Sequence, residues 1–299
     1  MSEQKTAALP IVPRANLDFG LDGDIPKYWF DNDPFKTRFF DSMSLQFPEG
    51  ERFFIECVRD YRDRITDPEL QQQVKNFMLQ EGQHGMVHTR FNNRLKAQGI
   101  DVDRIEEKQR EIMFGFFRGK FPRSYTLGMT AAAEHLTALM AHGFFSSGFM
   151  DKADPRIRAM YAWHAIEEIE HKAVAFDVLK KVAKASYFTR IISFAAETFA
   201  FPFYVFLIMD YMFKVDGVQN RFRVWMKGLW WLYGWGGLYP RLMPHYLAYF
   251  LPGFHPWKFG NMKIYEVWTQ AYAQTNDPIE TGNILYAVAA GERTALSSA

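Results

Sequence analysis

The chain has 299 residues, enough to bury a large core in one or two domains. Lys plus Arg number 35 against 34 for Asp plus Glu, a balance that leaves no electrostatic footprint for nucleic acid. The single Cys57 excludes an internal disulfide and any cysteine-based metal site, and it is compatible with a reducing compartment.

Residues 1–47 carry Pro10, Pro13, Pro26 and Pro34 among scattered aromatics and read as an extended arm lying over the domain. The opening MSEQKTAALPIVPR has no basic segment followed by an apolar run, so no secretory signal is expected and a cytoplasmic location fits. Pro48 opens a helix predicted to run to about Thr66, where Thr-Asp-Pro stops it. Glu51 shares the apolar side of that helix with Phe54, Ile55, Val58 and Tyr61, a phase that selects it over Glu49 and Glu56. A second helix is predicted from Pro68 to about Gln98, with Phe77, Glu81, His84 and His88 on one face. Asp101 to about Gly119 reads as a charged linking helix. After Pro122 comes a helix of small and apolar residues in which Glu134 is the only acid between Ser124 and Met150. An unpaired carboxylate there pays a large desolvation penalty unless it neutralises or meets a cation. Asp154-Pro155 starts a further helix, predicted to reach about Lys184, with His164, Glu168, His171 and Val178 along one side.

From Phe188 the sequence turns apolar, and the stretch 188–213 meets the length test for a membrane-spanning helix. Glu197 and Pro202 interrupt its middle, and Arg190 and Asp210 bracket it. A buried helix, or one lying in a bilayer interface, is therefore expected over a true span. Trp225, Trp230, Trp231, Trp235 and Trp257 follow between glycine and proline breaks, and the end of the chain, from about Asn261, is predicted to hold one helix and a short tail. The resulting division is an arm at 1–47, a four-helix bundle at 48–185 and an aromatic-rich helical region at 186–299 packed on the bundle.

Two Glu-x-x-His steps, Glu81-x-x-His84 and Glu168-x-x-His171, each follow a helix that places a Glu among apolar neighbours 30 or 34 residues earlier, Glu51 and Glu134. Three residues of helix is about 300° of rotation, so each carboxylate and imidazole leave one side about a turn apart. Four helices supplying Glu, Glu-x-x-His, Glu and Glu-x-x-His form the ligand set of a carboxylate-bridged dimetal centre, which implies an all-α, ferritin-like four-helix bundle. Carboxylate and imidazole suit hard or borderline cations, here two Fe, with Mn or a mixed Fe/Mn pair as variants. In ferritin-like proteins the motif carboxylates bridge, which assigns Glu81 and Glu168 to bridging, Glu51 and Glu134 to terminal positions, and one imidazole each to His84 and His171. The competing reading, surface Glu and His on amphipathic helices, is weaker because Glu51 and Glu134 fall in apolar phase and the spacing recurs. His88, a turn after His84, reads as a partner of a ligand or a packed histidine before a third imidazole ligand, while for His164, a turn before Glu168, all three readings stand open. His135 lies about 100° from Glu134 and reads as packing or a ligand's partner. Glu167 and Glu170 either orient imidazoles or face solvent.

With these residues in hand, the chain resembles the bacterial proteins grouped as the predicted metal-dependent hydrolase family, a ferritin-like group. The matching stretches are FPEGERFF (47–54), EGQHGMVH (81–88), AAAEH (131–135), WHAIEEIEHKAVAFDV (163–178) and PRLMPHYLAYFLPGFHPW (240–257). The resemblance implies Glu51, Glu81, His84, Glu134, Glu168 and His171 as ligand positions, with His88 and His164 as family histidines.

Three chemistries compete for this ligand set. The one expected first is an O₂-activating di-iron oxidoreductase of hydroxylase, desaturase or N-oxygenase type, with O₂ and an electron donor as co-reactants. In it Glu81 and Glu168 shift as iron is oxidised, and Glu51 or Glu134 opens a coordination position. The second is a dimetal hydrolase of an ester, amide or phosphoester, acting through a water of lowered pKa. The third is non-enzymatic, either ferritin-like iron handling or a structural membrane-surface protein. The aromatic last third, with Trp and Tyr near Lys227, Arg241 and Lys258, points to an apolar or lipid substrate and to peripheral contact with the inner membrane.

Overall fold

Four Asp-Pro steps set four helix starts. At each the aspartate side chain accepts backbone N–H bonds from the first turn, while the proline occupies the position where a missing N–H costs nothing. Asp33 accepts from Phe35 and Lys36, Asp67 from Glu69, Asp154 from Arg156, and Asp277 from Ile279 and Glu280. The computed structural model describes residues 9–146, 148–258 and 262–297, which are all-α, with one isolated bridge between Phe30 and Ala153 and no strand among the described residues. The helices are α1 (Pro34–Arg59), α2 (Pro68–Lys96), α3 (Val102–Arg110), α4 (Arg123–Ser146), α5 (Pro155–His171), α6 (Tyr187–Val215), α7 (Arg221–Tyr233), α8 (Leu238–Ala248), α9 (Met262–Thr275) and α10 (Pro278–Ser297). A wider-wound turn, Glu111–Phe117, extends α3. α1 packs on α2, α4 on α5, and α1 on α4.

Three expectations are corrected. α1 begins at Pro34, because Asp33 caps it, and Pro48 lies inside it. Proline at 48 leaves the Ser44 carbonyl without its helical donor, and Asn92 Nδ2 of α2 supplies one at 2.9 Å. The helix expected to reach Lys184 stops at His171. The chain turns at 172–173, resumes as Val174–Asp177, then winds wider over Val178–Val182. The expected short tail includes α10, packed on α5, where a Cβ at Gly282 would collide with Ala159.

Residues 9–33 of the arm have no helix and are stitched to the body: Ile11 O accepts from Asn76, Asp22 pairs with Arg90, and Trp29 and Phe30 stack against Phe40. α6 stays continuous through Pro202 and buries Phe194, Val205, Met209, Met212 and Phe213 on its inner side. By length and composition alone it could cross a membrane, and only 22% of its most apolar window is buried, so the expectation of a buried helix is corrected: one side packs on the body and the other is exposed. Beneath α6, Arg38 is fully buried and pairs with Asp41 and Asp216, both at 2.8 Å, while Arg94 also reaches Asp41 and Lys27 reaches Asp216. This network ties α1, α2 and the end of α6. Arg38→Met, which leaves each aspartate one remaining cation, is expected to cost about 3 kcal/mol, read as a lower urea midpoint at unchanged slope.

Candidate metal centre

Glu51 comes from α1, Glu81 and His84 from α2, Glu134 from α4, and His164, Glu168 and His171 from α5; none is more than 5% exposed. The structure brings all six motif residues together and adds His164. His171 Nε2 lies 3.0 Å from Glu81, 3.3 Å from Glu134 and 3.4 Å from Glu168. His164 Nε2 lies 3.0 Å from Glu168 and 3.9 Å from Glu51, and its ring stacks on His84 at 4.1 Å. The groups able to hold an ion include Glu81–Glu168–His171 on one side and His84–His164–Glu168 with Glu51–Glu81–His84 on the other, so Glu81 and Glu168 belong to both sides. Glycine at 85 helps: a Cβ there would press to 3.3 Å from Glu51 Oε2.

The hydrogen bonds around the cluster decide what each imidazole offers. His171 Nδ1 donates to Gln80 Oε1 at 2.9 Å, and His84 Nε2 donates to Glu167 at 3.1 Å, leaving His171 Nε2 and His84 Nδ1 as inward lone pairs. For His164 the argument runs through the Pro48 site. Asn92 spends its amide on the Ser44 carbonyl, so its Oδ1 accepts from the Ser44 hydroxyl at 2.6 Å. Ser44 Oγ therefore accepts from His88 Nδ1, at 2.8 Å, and His88 Nε2 accepts from His164 Nδ1, at 2.7 Å. With Nδ1 spent on His88, His164 keeps Nε2 for the cluster, 3.0 Å from Glu168. Both oxygens of Glu51, Glu81 and Glu134, with His84 Nδ1 and His171 Nε2, are buried without a hydrogen-bond partner. So many buried acceptors without a hydrogen-bond donor are the fit expected of a metal site, where a cation meets them.

Electrostatics agree. Burial, then the charges of Glu81, Glu168 and Glu134, push Glu51 well above the ordinary carboxylate range, and burial lifts Glu134 and Glu81 against the opposing charge of His171. Burial would raise Glu168 too, but His171 and His164 outweigh it and hold it well below. Burial lowers His84 well below its usual value; it works the same way on His171, where Glu134 and Glu168 prevail and lift it well above. Without a cation the cluster balances its charge with protons.

Outside this cluster, Arg14 of the arm pairs with Glu167 at 3.0 Å and Glu170 at 2.7 Å, and Glu170 accepts from Gln80 at 2.7 Å. The two glutamates left open by the sequence thus face inward, Glu167 onto His84 and Glu170 onto Gln80. Arg14 gave no signal in the sequence. His88 uses both ring nitrogens on Ser44 and His164 and holds the latter in place. His135 is buried against Tyr249 and Phe254, and burial pushes it down to about 3. His255 pairs with Asp177. Glu49 is taken up by Arg52 and Arg110.

A mostly apolar cavity of ≈ 420 Å³ reaches the cluster between α1, α3, α4 and α6. Its lining includes buried Glu51 and Met129, then Phe54, Leu136 and Phe201, and the exposed Arg104, Lys108 and Leu207. Thr137, also in its wall, hydrogen-bonds Glu168. A smaller void of ≈ 30 Å³ lies beside His164, Glu168 and Thr137.

A family model described as predicted metal-dependent hydrolase matches residues 13–260. No curated protein and no solved structure matches the chain. The family match corrects the expectation of an O₂-activating oxidoreductase: buried Glu and His ligands serve either chemistry, so ligand type did not separate them. O₂ and an electron donor, expected only as co-reactants of that chemistry, are not carried forward.

Elemental analysis of the purified protein is expected to find about two metal ions per chain. His171→Ala or Glu168→Ala should strip most of the metal, and Glu49→Ala should leave it. His88→Ala, which removes only the partner of His164, is expected to weaken metal affinity about 10- to 100-fold without abolishing it.

Proposed function

The chain belongs to the predicted metal-dependent hydrolase family, and from that premise we propose that it hydrolyses an ester, amide or phosphoester of an apolar, lipid-like substrate. Two divalent cations of the Fe/Mn class would be held by Glu51, Glu81, His84, Glu134, His164, Glu168 and His171, with Glu81 and Glu168 common to both sides of the cluster. Such ions supply Lewis acidity and lower the pKa of water toward neutrality.

The observation that carries this reading is the cavity ending on Glu51. The apolar walls, Phe54, Leu136 and Phe201 among them, exclude water from the substrate chain and align it toward the cluster. The ≈ 30 Å³ void beside His164, Glu168 and Thr137 has a mostly apolar lining. Glu51 would hold a cation and also lines the cavity, so among the ligands its carboxylate is the one placed to accept the proton that water gives up on attack. The Thr137 hydroxyl donates to Glu168 Oε2 and fixes that carboxylate's rotation. No oxidant or reductant is required.

Metal-stripped protein should regain turnover on chromogenic esters, amides or phosphodiesters when Mn²⁺ or Fe²⁺ is returned, with rates rising with acyl or alkyl chain length. Glu51→Gln should lower kcat by about 10²-fold or more. Leu207→Trp, which narrows the cavity at its exposed end, should shift the optimum to shorter chains while leaving metal content intact. Metal-loaded protein inert toward all three bond classes would overturn the reading.

A further inference from the structure

We propose that the outer faces of α6 and α7 dock on an anionic lipid bilayer, with the cavity mouth at the edge of the docked surface. The docking stands on its own observations; naming the bilayer as the source of the substrate rests on the hydrolase reading above.

On α6, Phe188, Ile192, Phe199, Phe203 and Leu207 are 55–77% exposed, and their spacing places them on one stripe about 100° wide. On α7, Phe222, Met226, Trp230 and Tyr233 are likewise exposed and fall on one stripe, and Trp235 just beyond is 98% exposed. The opposite sides of both helices are committed to the body. α6 buries Phe194, Val205 and Met209, while Gly228 of α7 sits so close to the Phe35 ring that a Cβ would collide with it. The helices are neighbours, since Trp225 packs against Phe206 and Phe213 at 5.5 Å each. Large side chains exposed in this number exceed what a monomeric surface ordinarily carries, and single scattered residues do not account for two ordered stripes.

Charge selects the occupant. α7 carries Arg221, Arg223 and Lys227 and no acidic residue; Arg221 pairs with Asp210 of α6 at 3.5 Å and Lys227 with Asp33 at 3.7 Å, and the Lys227 side chain stays 80% exposed. Lys/Arg beside exposed Trp and Tyr is the composition of a helix lying in an anionic lipid interface. Leu207 belongs both to the exposed stripe of α6 and to the cavity lining, next to Arg104 and Lys108 from α3. A bilayer on this face thus meets the cavity mouth, and an apolar chain could pass from lipid to the cluster without crossing bulk water.

The test is vesicle co-sedimentation of the full-length, metal-loaded protein with phosphatidylcholine alone and with phosphatidylcholine/phosphatidylglycerol mixtures, at low and high salt. Expected is binding to the anionic vesicles that weakens with salt. Phe199→Ser with Phe203→Ser and Trp230→Ser should bind at least about tenfold more weakly. Arg223→Glu with Lys227→Glu should lose the preference for anionic lipid. Unchanged metal content in both variants shows that the fold is intact. No sedimentation with either vesicle, or a dimer that the Ser variant converts to monomer, overturns the proposal. Binding that persists while no substrate is turned over sinks the hydrolase reading and leaves the docking standing.

Discussion

Four carboxylates in a dry core repel one another and have lost their water, and that imbalance organises the centre of this protein. Glu51, Glu81, Glu134 and Glu168 are all buried, and three of them have no hydrogen-bond partner for either oxygen. Removing charge from water costs several kcal/mol per ion, so the arrangement is stable only with positive charge delivered to the same spot. In the metal-free site protons meet part of that demand. Three imidazole nitrogens, of His84, His164 and His171, face the same oxygens, a geometry shaped for cations.

The surroundings of the cluster serve to keep those nitrogens pointing inward. Gln80 fixes His171, Glu167 fixes His84, and the chain Asn92, Ser44, His88 fixes His164. The last of these begins with a backbone defect. Pro48 cannot donate to the Ser44 carbonyl, and the amide that repairs the loss is what orients the rest of the chain. The arm contributes as well, because Arg14 compensates two buried glutamates that would otherwise add to the negative charge. A segment without helix is therefore part of the site's electrostatics.

The cavity and the exposed helices give the centre its context. An apolar passage from a buried cluster toward an exposed face bearing aromatic stripes and basic residues fits a greasy substrate better than a small polar one. The ligands themselves are neutral on the reaction. Glutamate and imidazole around metal ions support oxygen chemistry or hydrolysis, and the chain's family, described as predicted metal-dependent hydrolase, favours the second.

Much of this was legible in the chain. Helical periodicity, Asp-Pro caps at 67–68 and 154–155, and the repeated Glu-x-x-His spacing are local properties, so they identified the all-α class and the six residues that the structure brings together. The start of α1 escaped because Pro48 looked like a first-turn proline when Asp33-Pro34, fourteen residues earlier, held the cap. The assignment of His88 and His164 also escaped. Both share the face of the motif residues, and only a hydrogen-bond chain closed between α1, α2 and α5 decides that one ring keeps a nitrogen for the cluster while the other spends both nitrogens elsewhere. The same holds for Arg14, which reaches Glu167 across 153 residues. The sequence by itself determined which residue types recur at which helical phase, because phase is set within a few residues. The tertiary structure decided protonation, pairing and access, because those depend on which distant groups share a space that water cannot enter.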